Sequence, residues 1–193
     1  MTVNYLLANG FKVHDYAKGE VIYPPDAAPR AVYFIKSGKV KMVTVNAEGQ
    51  EFIQGIFKAN DYFGEPALIL NKPYLAYTIA MQDCEIIPVY RDTFFKFLDE
   101  NTVFSRKLIQ NLSERLFYKS MMLEELANEQ AEHRIRTLLN YLFKDLDKDA
   151  ELKVTRQQLA DMAGLRVETV IRTIKKLAAQ AELKLVRGKL IKV

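Results

Sequence analysis

The 193-residue chain has one cysteine, Cys84, and two widely separated histidines, His14 and His133. A single thiol excludes an internal disulfide, a cysteine-rich zinc site and an iron–sulfur cluster held by this chain alone. Two isolated histidines leave Ser–His or Cys–His triads and most metalloenzyme centres short of parts. An enzyme is therefore not expected, and neither a metal nor another cofactor is. No window approaches 18 uncharged apolar residues, and the first sixteen residues have neither the basic start nor the apolar core of an export signal. Membrane insertion and secretion are not expected, which makes the cytoplasm the expected location. What is present, 49% apolar, 27% charged and 11% aromatic residues, is the composition of a globular protein with a sizeable core.

Charge and chain-breaking residues are unevenly spread. Residues 1–128 hold 14 Lys/Arg against 15 Asp/Glu, whereas residues 129–193 hold 14 against 9, so the cationic surplus lies in the last third. Such a surplus suits a polyanionic partner, of which nucleic acid is the commonest. All six prolines and five of the eight glycines fall between residues 19 and 88, while residues 89–163 contain neither. Within the first region, β-branched and aromatic runs at 31–35, 40–45, 51–57, 77–81 and 84–90 alternate with turn chemistry such as Lys36-Ser37-Gly38. Many short strands at close spacing predict an antiparallel sandwich or barrel.

Beyond Arg91 the apolar period lengthens to three and four. Val103, Leu108, Leu112, Leu116, Leu123 and Leu126, with Ile109, Phe117, Met121 and Met122 beside them, make a broad stripe on a helix of about 25 residues, about 37 Å long. A stripe so wide exceeds what one small barrel covers, so the helix is expected to pair with a second copy. A second helix is expected over 129–146, with Ile135, Leu138, Leu139, Leu142 and Phe143 on one face.

Residues 153–193 read as a helix-turn-helix with a wing. Thr155 and Gln158 form a capping box, Ala163-Gly164-Leu165 supplies the turn, and the second helix runs from about Val167 to Gln180. Val170, Ile174 and Leu177 face inward there, which leaves Arg166, Glu168, Thr169, Arg172, Thr173, Lys175 and Lys176 for an outer surface. Glu168 can accept from cytosine N4 and Arg172 can bond guanine O6 and N7, whereas the cations and hydroxyls suit phosphates. An ordinary i, i+4 salt bridge between Glu168 and Arg172 is the bland alternative. Arg187-Gly188-Lys189 forms the tip of a hairpin suited to the phosphate backbone.

Taken together, these segments resemble the Crp/Fnr family of bacterial transcription regulators. The resemblance rests on Gly19-Glu20-Val21-Ile22, on Val32 to Val40, on Asp61-Tyr62-Phe63-Gly64-Glu65, and on Thr155 to Ala160 followed by Gly164 and Val167-Glu168-Thr169-Val170-Ile171-Arg172. It implies an α+β fold: an N-terminal antiparallel β-roll of double-stranded β-helix type, a long dimerisation helix, and a C-terminal winged helix-turn-helix domain, at 1–98, 99–128 and 129–193. It also implies a homodimer on a pseudo-palindromic site of double-stranded DNA. Base contacts are expected from Glu168 and Arg172, and backbone contacts from Thr155, Arg166, Thr169, Thr173, Lys175, Lys176, Arg187 and Lys189. Leu108, Leu112, Leu116 and Leu123 are expected on the pairing face, and RNA polymerase is a further partner of such regulators. Val167-Glu168-Thr169 is closer to the Fnr branch, and Arg166 departs from the Ser or Thr that usually caps this helix.

The effector site departs further. Relatives that bind cyclic AMP hold its phosphate with an Arg-Ser or Arg-Thr pair, and here Tyr74 and Leu75 stand in that place, with no arginine between Arg30 and Arg91. A buried phosphate would lack its counter-charge, so Phe63, Gly64, Glu65, Tyr74 and Leu75 are expected to form a degenerate pocket that does not take cyclic AMP. An unidentified small-molecule effector stays open. Cys84, in an apolar strand, reads as a buried inert thiol, and His133 as an exposed helix residue. Two other readings compete with this one. A cupin-like barrel enzyme lacks its ligand residues, and a dimeric sensor whose basic C-terminal module binds another protein is separated from DNA binding by salt-titrated DNA affinity.

Overall fold

The computed structural model describes residues 1–127 and 130–193. In chain order its elements are α1 (Val3–Ala8), β1 (His14–Tyr16), β2 (Val21–Tyr23), β3 (Ala31–Ser37), β4 (Lys39–Val45), β5 (Glu51–Lys58), β6 (Tyr62–Phe63), α2 (Glu65–Leu70), β7 (Tyr77–Ala80), β8 (Cys84–Tyr90), α3 (Arg91–Glu100), α4 (Thr102–Ala127), α5 (Ala131–Phe143), β9 (Glu151–Leu152), α6 (Arg156–Ala163), α7 (Val167–Ala179), β10 (Lys184–Val186) and β11 (Lys189–Ile191). They form two compact units, Met1–Gln110 and Asn111–Val193, and the division falls inside α4. The expected boundary at 128/129 and the expected helix start at Glu129 lie outside the described residues.

The first unit is built from two four-stranded antiparallel sheets, ordered β1-β8-β3-β6 and β2-β7-β4-β5. Strand β3 is enclosed on both faces, with Ala31, Val32, Phe34 and Ile35 all buried, as its unbroken apolar run requires. Between the sheets, Ile35, Val40, Phe63, Tyr74, Cys84 and Ile86 share one core. The turn from β3 to β4 passes through Gly38 at φ 98°, where a Cβ would come within 2.4 Å of Cys84 Sγ and 2.7 Å of the Asp83 carbonyl oxygen. Only glycine serves both the positive φ and that approach.

Helices α3 and α4 part at Asn101, whose non-helical backbone, at φ −131° and ψ 86°, ends the first and whose Oδ1 accepts from Phe104 N–H at 2.9 Å to start the second. Phe104 then sets its ring among Phe34, Tyr62, Phe94 and Phe97. In the second unit α5, α6 and α7 pack around Ile135, Leu138, Leu159, Val170, Ile174 and Leu177, all buried. Beside them lies a three-stranded antiparallel sheet ordered β10-β11-β9. Among the described residues no helix is long and apolar enough to cross a membrane.

Candidate nucleic-acid interface and effector pocket

Local chemistry fixes the two helices of the interface. Thr155 Oγ1 accepts from Gln158 N–H at 3.1 Å while Gln158 Oε1 accepts from Thr155 N–H at 2.9 Å, so both members of the capping box are made. Gly164, at φ 62°, closes α6 in the left-handed conformation that lets the chain turn into α7. Arg166 occupies the N-cap of α7 without a side-chain cap bond, leaving its guanidinium exposed. On α7, Glu168, Arg172 and Lys175 are exposed on the outer side, opposite Val170, Ile174 and Leu177. Among the described residues no ion pair joins Glu168 to Arg172.

Two expected outer residues are placed differently. Thr173 is only 7% exposed, a correction to its expected phosphate contact: it falls between the outer and inner stripes of α7, one residue from Ile174, and turns inward. Lys176 is turned towards α5, where Nζ lies 2.5 Å from Glu132 Oε2. Glu132 also pairs with Arg136, whose fork reaches Glu182 through Nε at 2.7 Å and Nη2 at 2.9 Å. Of the remaining backbone candidates, Thr155 is exposed at its cap and Thr169 is half-buried.

The wing turns through Arg187 and Gly188, at φ 48° and 80°, as a two-residue hairpin closed by the pair Val186 and Lys189. Arg187 is exposed at the tip, whereas Lys189 Nζ sits 2.7 Å from Glu151 on β9. Arg156, not singled out from sequence, donates from Nη2 to the Gly188 carbonyl at 2.9 Å and so ties the first turn of α6 to the wing tip.

A second set of contacts surrounds the start of α5. Arg134, buried, donates to the carbonyl of Glu125 on α4 and to that of Ala163 in the helix-turn-helix turn, at 3.2 and 3.1 Å. The Glu125 carboxylate is bonded to His133 Nδ1 at 2.7 Å and accepts from Thr137 Oγ1 at 2.8 Å. His133, read from sequence as an exposed helix residue, is exposed and is also engaged by Glu125. Burial pushes the Glu125 carboxyl up, but these two hydrogen bonds and the nearby Arg134 charge hold it below the ordinary range. Beside Lys176, Glu132 is likewise lowered, and Arg136 lowers Glu182. Nothing in the residue periodicity signals such long-range polar pairs.

In the first unit the five pocket candidates separate. Phe63 is buried, and Gly64 opens α2 at φ 92° with room for no more than a tight Cβ, 3.2 Å from the Ala31 carbonyl oxygen. Glu65 is fully buried. Tyr74, 4% exposed, stacks on Tyr23 with ring centroids 3.6 Å apart and donates to the Ala31 carbonyl at 3.3 Å. Burial raises the Tyr74 and Tyr23 hydroxyls above the ordinary tyrosine value. Leu75 is turned away, 85% exposed. One residue of the pair is thus core and the other solvated, and neither offers a cation. Cys84 Sγ donates weakly to the carbonyls of Lys39 and Gln82, and burial raises its thiol.

On α4 the outer stripe is exposed at Ile109, Leu116, Phe117 and Leu123, with Leu116 at 67% and Leu123 at 69%. Leu112 is half-buried, while Leu108 is already covered within its own chain. A groove of about 550 Å³ lies between α4 and α5, lined by Phe117, Tyr118, Met121 and Tyr141 among others.

Comparison with known proteins gives this arrangement a context. Residues 13–101 match the family of cyclic nucleotide-binding domains, and residues 133–193 match the Crp-like helix-turn-helix domain. The chain is 31% identical over 176 residues to the cAMP-activated global transcriptional regulator CRP of Pasteurella multocida, covering 87% of this chain and 83% of that one. It is 26% identical over 174 residues to the cyclic AMP receptor protein of Thermus thermophilus, covering 90% and 80%. Among solved structures, a CooA mutant from Carboxydothermus hydrogenoformans superposes with a TM-score of 0.82 at 21% identity, over 99% of this chain and 90% of that one. With its antiparallel roll, long helix and capped, glycine-turned helix pair, the chain belongs to the Crp/Fnr family of transcription regulators, with a helix-turn-helix DNA-binding domain at its C-terminal end.

Proposed function

We propose that two copies of this chain pair along α4 and set their α7 helices into successive major grooves of a pseudo-palindromic duplex, with half-sites one helical turn apart. The observation that carries the reading is the outer face of α7, where Glu168 and Arg172 are exposed on one side and not paired to each other. Glu168 reads a cytosine and Arg172 a guanine, while Arg166, Lys175, Thr155, Thr169 and Arg187 hold phosphates. Lys176 and Lys189, already paired to Glu132 and Glu151, contribute long-range field more than contact. The chain acts in the cytoplasm as a regulator without catalysis, and RNA polymerase is its further partner at promoters.

Cyclic AMP is not the effector in this reading. The Tyr23–Tyr74 stack takes up core volume, and the phosphate lacks a counter-charge at Tyr74 and Leu75. Calorimetry with cyclic AMP and cyclic GMP is expected to give no heat of binding, and micromolar affinity for either would refute this point.

The DNA reading is tested by enriching a duplex from a random pool and titrating it with salt. The expected result is a steep negative slope of log K against log salt. Arg172→Ala is expected to cost about 1–3 kcal/mol on the selected site and to relax preference at one base pair per half-site. Equal affinity for every duplex would sink base readout. No affinity even at low salt would favour an acidic protein surface as the partner of the basic module.

A further inference from the structure

One guanidinium in the second unit closes two helices at once. Arg134, the fourth residue of α5 and 8% exposed, donates from Nε to the Glu125 carbonyl at 3.2 Å and from Nη1 to the Ala163 carbonyl at 3.1 Å. Glu125 stands two residues from the end of α4, and Ala163 is the last residue of α6. Neither carbonyl has an N–H four residues on within its own helix, and each lies at the negative end of a helix dipole, so a cation between them serves both. Near the start of α5 the same charge is opposed by that helix's own dipole. The reason for an arginine here therefore lies in the junction of α4 with the helix-turn-helix, not in α5 itself.

That junction fixes a direction. Gly164, Leu165 and Arg166 alone separate Ala163 from the start of α7 at Val167, so holding the Ala163 carbonyl holds the end of α7 that carries Glu168 and Arg172. The other end is tied to α5 as well, through Lys176 to Glu132 and, just after α7, through Glu182 to Arg136. Helix α5 thus carries α7 at both ends, and Arg134 fastens the near end to the last turn of α4. In the pair proposed above, α4 is the element along which the two copies meet. The angle between α4 and α7 then sets how far apart the two α7 helices stand.

We infer that Arg134 is a positioning residue that determines half-site spacing: its fork locks α7 to α4, so the dimer accepts pairs of half-sites at one separation. Moving a half-site by one base pair displaces it about 3.4 Å along the duplex and turns it about 34° around the axis, a step that a rigid mount rejects and a loose one follows. A lysine at this position keeps the charge but offers one ammonium in place of a planar fork, and does not hold two carbonyls at a fixed angle. Glu168 and Arg172, which read bases, are untouched by the change.

The inference rests on pairing along α4, and the experiment separates the two. Duplexes carry the half-site selected from the random pool in three forms: alone, as a pair at the selected spacing, and as a pair with one base pair added or removed at the centre. Wild type is expected to lose at least about tenfold in affinity on either change of spacing, because the second module no longer reaches its half-site. Arg134→Lys is expected to distinguish the spacings by no more than about threefold, with weaker binding at the selected spacing and unchanged affinity for the single half-site. Arg134→Gln, which can serve one carbonyl but not both, is expected to do the same and answers the question should the lysine variant not fold. Full spacing discrimination in both variants overturns the role, as does a wild type that prefers the pair but not its spacing. Equal loss on the single half-site and on the pair, or failure of both variants to fold, would make Arg134 a support of the module alone and overturn it too. A wild type that binds the pair no more tightly than the single half-site overturns the pairing itself.

Discussion

At the scale of single residues, the tightest constraint in the first unit is the approach of Gly38 to Cys84. A methyl group there meets a sulfur and a backbone oxygen at once, and the backbone stands at a positive φ that a side chain resists. Gly38→Ala is expected to destabilise the protein by about 3 kcal/mol, combining backbone strain with overpacking. The check is a urea midpoint, and an unchanged midpoint would show that the β3–β4 turn relaxes freely. Cys84→Ala combined with Gly38→Ala is expected to recover part of the loss, since the alanine removes the nearer obstacle and leaves the Asp83 carbonyl in place. Tyr74 and Leu75 show the same dependence on surroundings. Adjacent in sequence and both apolar in character, they end in opposite environments because the chain passes from the α2–β7 connection into β7 with alternate residues facing in and out.

At the scale of elements, α5 is the organising helix of the second unit. Glu132, His133, Arg134, Arg136 and Thr137 reach partners on α4, at the end of α6, on α7 or in the segment after it, Arg134 through backbone carbonyls and the others through side chains. The carboxyls of Glu125, Glu132 and Glu182 all lie below their ordinary values. A carboxyl lowered by folding stabilises the folded state above its unfolded value, about pH 4.3, and that contribution disappears as pH falls through the lowered folded value. The urea midpoint is therefore expected to stay level from pH 7 to pH 5 and to decline below about pH 4.3, less steeply in Glu182→Gln; a steeper decline in that variant would contradict the pairing. Legibility differed among these elements for a physical reason. The capping box at Thr155, the turn at Gly164 and strands β3, β4, β5, β7 and β8 depend on neighbours in sequence, and composition revealed them. Strands β1, β2, β6 and β9, of two or three residues, are too short to show alternation, and the Arg134 and Arg136 contacts join distant segments. The same limit explains Thr173 and Lys176: the period of α7 identified its inner stripe, but the width of α5 against it decides how many flanking residues are enclosed.

At the scale of the whole molecule, DNA affinity is expected to depend on a surface that never touches DNA. Leu116 and Leu123 are more than half exposed in the single chain, one turn apart from Leu112 and Leu126 on the same stripe of α4. An aspartate at Leu123 would place a charge in the apolar layer beside its copy, where desolvation and like-charge repulsion both oppose pairing. Leu123→Asp is expected to sediment as a monomer with its far-ultraviolet dichroism retained. Each monomer then grips one half-site, so the number of phosphates neutralised per binding event falls by half. Because the slope of log K against log salt scales with that number, about −0.9 per phosphate, the slope should also fall by about half. Affinity for a two-half-site duplex should drop towards that for a single half-site, since the second module no longer arrives at the effective concentration that pairing provides. Base preference within each half-site should persist, because Glu168 and Arg172 are unaltered. A Leu123→Asp protein that remains dimeric, or one that is monomeric yet keeps the full salt slope, would show that the two recognition helices are united by some surface other than α4.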